Sequence, residues 1–136
     1  MVTVMREKKA LINLDNYTSR VDFLNFEQGK KRCMNDQEFY LELVREFAEE
    51  SKLKNLQENY QRQDWPQYRI NVHTIKSSAA YIGAEELSQQ ARLLENAAKE
   101  GNQAYFVAKH IEFTQYYQKV LQGIKDFLAE IDSAGA

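Results

Sequence analysis

The chain has 136 residues, 43% of them hydrophobic, with seven Phe, eight Tyr and one Trp: apolar material for one real core, and too little length for two. Its net charge of −2, with both signs interspersed, gives no electrostatic footprint for nucleic acid. The single Cys33 excludes an internal disulfide or a thiolate metal cluster and reads as a packing residue. No apolar run is long enough to span a membrane, and the start Met1-Val2-Thr3-Val4-Met5-Arg6 lacks the apolar stretch of a secretory signal, so a cytoplasmic protein with no membrane partner is expected.

Residues 1–24 carry weak periodicity and no caps, and are expected to form an arm or linker with room for one short helix. The helical domain is expected over residues 25–133. A short helix from Phe26 to Cys33 ends at the break Met34-Asn35-Asp36. Asn35, with Glu38 three residues on, suggests a capping box that opens a second helix. Phe39, Leu43, Phe47, Glu50 and Leu53 keep helical spacing to about Tyr60, with Leu41, Val44 and Leu56 widening the face.

Asp64-Trp65-Pro66 is another start signal, a capping carboxylate followed by a proline tolerated in the first turn. The helix it opens has Tyr68, Val72, Ile75, Ala79 and Ile82 as its apolar stripe and is punctuated by Gly83. Ala84-Glu85-Glu86 opens the next, with Leu87, Ala91, Leu94 and Ala98 inward and Gly101 as its stop. Asn102 caps the last and longest element, where Phe106, His110, Phe113, Tyr117, Val120, Ile124, Phe127 and Ile131 alternate steps of four and three. No segment has a β period. The expected fold is all-α, an antiparallel up-down-up-down four-helix bundle with a short additional N-terminal helix.

The two histidines differ in position. His110 belongs to the apolar stripe and reads as a packed core histidine hydrogen-bonded to a neighbour. His73 follows Val72 by one residue, about 100° round the helix and off the buried stripe. Arg69, Lys76, Ser77 and Ala80 share its side at i−4, i+3, i+4 and i+7, so cations and small side chains flank the imidazole. Such a site suits a negative group that a second molecule can reach.

The run His73, Ile75, Lys76, Ser78, Ala79, Ile82, Gly83, Ala84 and Leu87 resembles the signature of the histidine-containing phosphotransfer (HPt) domains of two-component phosphorelays. The similarity extends over roughly residues 24 to 131. It includes Gly29-Lys30-Lys31-Arg32-Cys33-Met34-Asn35-Asp36 before Phe39-Tyr40-Leu41-Glu42-Leu43, and Leu94-Glu95 and Gly101-Asn102 later. The resemblance implies a phosphocarrier half-site and not a complete enzyme. His73 would exchange a phosphoryl group with an aspartate on a response-regulator receiver domain, of a free regulator or of a hybrid sensor kinase.

Lys76 and Arg69 would hold the phosphoryl oxygens. Ser77 and Ala80 would leave room for the partner's aspartate, and Gly83 would make the turn of the motif. No cofactor or metal is expected in this chain, with Mg²⁺ carried by the partner receiver, and a monomer is expected. Ser77 departs from the glycine most common after the lysine, which narrows the approach to the imidazole. Some members of the family place a glutamine on the adjacent helix to orient the imidazole, where this chain has Glu95. A carboxylate repels a phosphoryl group, so Glu95 is expected to pair with Lys76 or Arg92 and to take no part in holding phosphate.

The rival reading is a non-catalytic helical adaptor or dimerisation bundle, whose stripes would look the same. A di-metal carboxylate bundle is excluded, since neither histidine has a Glu three residues before it.

Overall fold

A computed structural model describes residues 12–134. After a single 3₁₀ turn at Leu14–Tyr17 come α1 (Phe26–Arg32), α2 (Gln37–Glu49), α3 (Leu53–Gln61), α4 (Trp65–Ile82), α5 (Glu85–Lys99) and α6 (Gln103–Ala134), with no strand among the described residues. The fold is an all-α bundle. Gly83 and Ala84 alone separate α4 from α5, and three residues separate α5 from α6, so each pair runs antiparallel.

The helix starts follow local chemistry. Asn25, Asp36, Asp64 and Asn102 each accept a backbone N–H of the following first turn through the side chain. Pro66 sits in the first turn of α4. Gly83 ends that helix at φ +87°, and Gly101 follows α5 at φ +70°, both in the left-handed region that glycine enters without a Cβ clash.

Two expectations for the second helix fail. Asp36, not Asn35, is its cap. Met34 and Asn35 are themselves left-handed (φ 55° and 59°), which leaves Asp36 extended with its carboxylate on the Phe39 N–H. The buried face shifts accordingly to Tyr40, Leu41, Val44, Phe47 and Ala48, while Phe39 is 40% exposed. The second failure is continuity: α2 stops at Glu49 and α3 starts at Leu53. The break is held by Ser51 Oγ, which accepts the Leu53 N–H (3.1 Å), and by the Tyr117 hydroxyl, which accepts the Lys52 N–H (3.0 Å).

The other stripes are buried as their spacing predicts. Tyr68, Val72, Ile75, Ala79 and Ile82 of α4 are inside, as are all eight stripe residues of α6, from Phe106 to Ile131. In α5 the inward alanine is Ala97 with Ala91, and Ala98 is half-buried. Cys33 is buried, and burial, helped by nearby Asp36, pushes its thiol up, away from reactivity.

Residues 1–11 lie outside the described residues, and with them the first part of the segment read as an arm. In the remainder of that segment Leu14, Val21 and Leu24 are buried in the common core. Phe23 lies against Gly123, where a Cβ would meet its ring at 2.6 Å.

The N-terminal helices close on the end of α4. Asn25 N–H donates to Gly83 O (2.8 Å), and the Tyr40 hydroxyl donates to Ile82 O (2.7 Å). Arg32 Nη1 donates to Ala80 O, and the Tyr81 hydroxyl returns to Arg32 O (3.3 Å). Gly29 makes the approach possible, because a Cβ there would stand 2.2 Å from the Tyr40 ring. The Tyr40 hydroxyl and the Asn25 N–H thereby supply partners for the Ile82 and Gly83 carbonyls at the end of α4.

Candidate functional site

His73 lies in the middle of α4, one residue past the buried Val72, and its side chain is 58% exposed. Its Nδ1 is 2.5 Å from Glu95 Oε2 on α5. The other Glu95 oxygen, Oε1, accepts from Lys76 Nζ, also at 2.5 Å. Lys99 Nζ, one turn along α5, stands 4.0 Å from Oε2. The Glu95 side chain itself is only 3% exposed. Ser88 Oγ donates to Lys76 O (2.8 Å), pinning α5 to α4 beside the site.

The electrostatics of Glu95 decide what this arrangement can do. Burial pushes its carboxyl up, but the hydrogen bonds from Lys76 and His73 and their charges outweigh burial and hold it below its ordinary value. Glu95 is therefore a carboxylate, which can only accept. The proton on the imidazole edge facing it belongs to Nδ1, and in the neutral ring the lone pair is then on Nε2. That nitrogen, on a side chain 58% exposed, has no hydrogen-bond partner among the described residues. The result is an exposed imidazole held at its Nδ1 edge by a buried carboxylate, with Lys76 one turn away.

Among the residues read from the sequence, His73 and Lys76 meet directly at Glu95. Ser77 is exposed and Ala80 half-buried on the same side of α4. Arg69 is exposed one turn before His73 and stands outside the network. Gly83 closes the helix as described. The pairing of Glu95 with Lys76 is found, whereas Arg92 turns to Gln89 (3.1 Å). The hydrogen bond from His73 to Glu95 was missed in the sequence. Its signal was there: Leu87, Ala91 and Glu95 are spaced i, i+4, i+8, which puts a carboxylate on the buried face of the helix next to the histidine.

His110 is a contrasting case. It is buried at 5% exposure, stacks on Tyr60 with ring centroids 3.7 Å apart, and its Nδ1 lies 3.0 Å from the Tyr68 hydroxyl. Burial pushes its pKa down to about 4. Burial also raises the Tyr68 hydroxyl, which stays protonated and donates, so Nδ1 of His110 accepts.

Among the described residues no group of three or more His, Cys, Asp or Glu could hold a metal ion, and no helix is long and apolar enough to cross a membrane. The family model of the Hpt domain matches residues 40–134, more than half the chain. The chain belongs to the Hpt domain family, whose members are phosphocarrier modules of two-component signalling that interact with response-regulator receivers and kinases. Neither the curated proteins nor the solved structures contain a match.

Proposed function

We propose that this chain is a phosphorelay intermediate that carries a phosphoryl group on Nε2 of His73, exchanged with aspartates of response-regulator receiver domains. The observation that carries the reading is the Nδ1 hydrogen bond to a buried carboxylate, which leaves Nε2 as the free, exposed nitrogen. In the forward step the Nε2 lone pair attacks the phosphorus of an aspartyl phosphate. The N–P bond forms, the acyl P–O bond breaks, and the aspartate leaves as carboxylate. The ring becomes cationic, and Glu95, still bound to the Nδ1 proton, offsets that charge at short range. In the reverse step the receiver's aspartate attacks phosphorus, the N–P bond breaks, and the imidazole leaves neutral with the electron pair back on Nε2, so one geometry serves both directions.

Lys76 would turn from Glu95 to the phosphoryl oxygens, with Arg69 available from the preceding turn. Exposed Ser77 offers its hydroxyl beside the imidazole, and Ala80 leaves space one turn on. The chain would require no cofactor of its own, with Mg²⁺ held by the partner receiver, and would work in the cytoplasm as a monomer. The docking face has apolar anchors on both sides of the histidine: Ile70 is 55% and Tyr81 44% exposed. A groove of about 360 Å³ beside Ser77, lined by Leu43, Phe47, Thr74 and Tyr81, continues it toward α2.

The test is incubation with a phosphorylated receiver domain, following acid-labile, alkali-stable label. Wild type should take the label and H73Q should not. Label that persists in H73Q would overturn the assignment to this residue, and a wild type that takes no label would leave the adaptor bundle as the better reading.

A further inference from the structure

Glu95 is a buried carboxylate with three cationic or donor groups round it, and the three are not equivalent. His73 Nδ1 and Lys76 Nζ are each at 2.5 Å, whereas Lys99 Nζ is at 4.0 Å, outside hydrogen-bond reach. Lys99 is the last residue of α5, its side chain is 48% exposed, and Glu95 is its one ionic neighbour among the described residues. The plain account of Lys99 is an i,i+4 helix pair, which would contribute to folding and nothing else.

Phosphorylation changes the accounting of charge. A phosphoryl group brings close to two negative charges to Nε2, one ring-width from Glu95. Lys76 cannot fully satisfy both a buried carboxylate and a phosphoryl dianion. If Lys76 moves to the phosphoryl group, Glu95 is left buried with the His73 proton as its only close partner, a costly state for a carboxylate at 3% exposure. Lys99 is the group placed to prevent this. It is on a long flexible stem, already on the Oε2 side, and needs to move only about an ångström to bond.

We propose that Lys99 is a positioning residue for phosphotransfer: it closes on Glu95 when the phosphoryl group on His73 draws Lys76 away. The inference rests on His73 being the phosphoacceptor. Lys99 never touches the phosphoryl group. It frees Lys76 to do so, and it keeps Glu95 from repelling the incoming dianion.

The experiment uses the full chain and phosphoramidate. In this reaction Nε2 attacks phosphorus, the P–N bond of the reagent breaks, and ammonia leaves with a proton. The ³¹P resonance of the phosphohistidine is then titrated between pH 5.5 and 9 in wild type, K99M and K99R, with K76M for comparison. Lost cationic support should raise the phosphoryl titration midpoint by roughly half a unit in K99M, about a threefold change in proton affinity, and by more in K76M. K99R should restore the wild-type midpoint. A lysine that only stabilises the helix would leave the midpoint where it was, so equal midpoints in labelled K99M and wild type would overturn the role of Lys99 while leaving His73 as carrier. Failure of wild type to take label on His73 would overturn both. Urea unfolding of unlabelled K99M should differ from wild type by no more than a surface pair contributes.

Discussion

Stability below neutral pH should be governed first by His110, a residue of the buried stripe of α6. Its pKa is about 4 in the fold against an ordinary 6.5, because burial beside Tyr60 and Tyr68 disfavours the imidazolium. The unfolded chain therefore binds a proton that the folded chain refuses. Stability from this group is complete above pH 6.5, falls as pH drops toward 4, and is flat below. Over the whole window the loss is about 3 kcal/mol, and about 2 kcal/mol of it is reached by pH 5. Against a domain stability of roughly 5–15 kcal/mol that is a large fraction.

The perturbation is H110F, which keeps an aromatic ring on Tyr60 and removes the titration. It also orphans the Tyr68 hydroxyl, a cost of about 1–3 kcal/mol that does not vary with pH in this range. The informative quantity is thus the slope. Urea unfolding at pH 7, 6 and 5 should show wild type losing stability and H110F staying nearly level. Parallel curves for the two proteins between pH 7 and 5 would refute the argument. Glu95 acts in a separate window. Its carboxyl is held below the ordinary value of 4.5, so its contribution is intact above that pH and disappears only as pH falls further.

Replacing Glu95 by Leu should release the tautomer of His73: ¹⁵N shifts of the neutral imidazole should report Nδ1–H in wild type and a move toward Nε2–H in E95L. An unchanged tautomer would show that Glu95 does not set it. E95Q, which can still accept from Nδ1, should keep the wild-type tautomer. G83A forces a side chain into φ +87° and onto Asn25 O at 2.3 Å, and should cost at least 2 kcal/mol, roughly the sum of strain and a lost hydrogen bond, in chemical denaturation. G29A should cost as much through the Tyr40 ring, and Y40F, which removes only the hydroxyl bonded to Ile82 O, should cost about 1–2 kcal/mol.

The bundle was legible because its stripes are long and clean: α4 and α6 bury every residue the spacing selects. What escaped the sequence was decided by partners far along the chain. The break between α2 and α3 has no glycine or proline to announce it, and Phe47, Glu50 and Leu53 keep helical spacing across it. Its stabilising hydroxyl belongs to Tyr117, 65 residues away. At the site, His73 and Lys76 were readable from their own helix. Glu95 was visible as a partner of Lys76, and its hydrogen bond to His73 was not, because repulsion of phosphate was weighed without the histidine proton that the same carboxylate holds. The choice of Asp36 over Asn35 turned on two left-handed residues that short-range propensity does not favour.

The closure of α1 and α2 on the end of α4 bears on how this module could be moved between proteins. A graft starting at residue 40, where the family match begins, would leave out Asn25 and Arg32, the donors to Gly83 O and Ala80 O. It would also uncover the apolar surface now packed by Leu24, Phe26 and Cys33. The portable unit therefore begins no later than residue 24. A fusion joint placed inside α1 would loosen the helix that presents His73 before it touched the histidine itself.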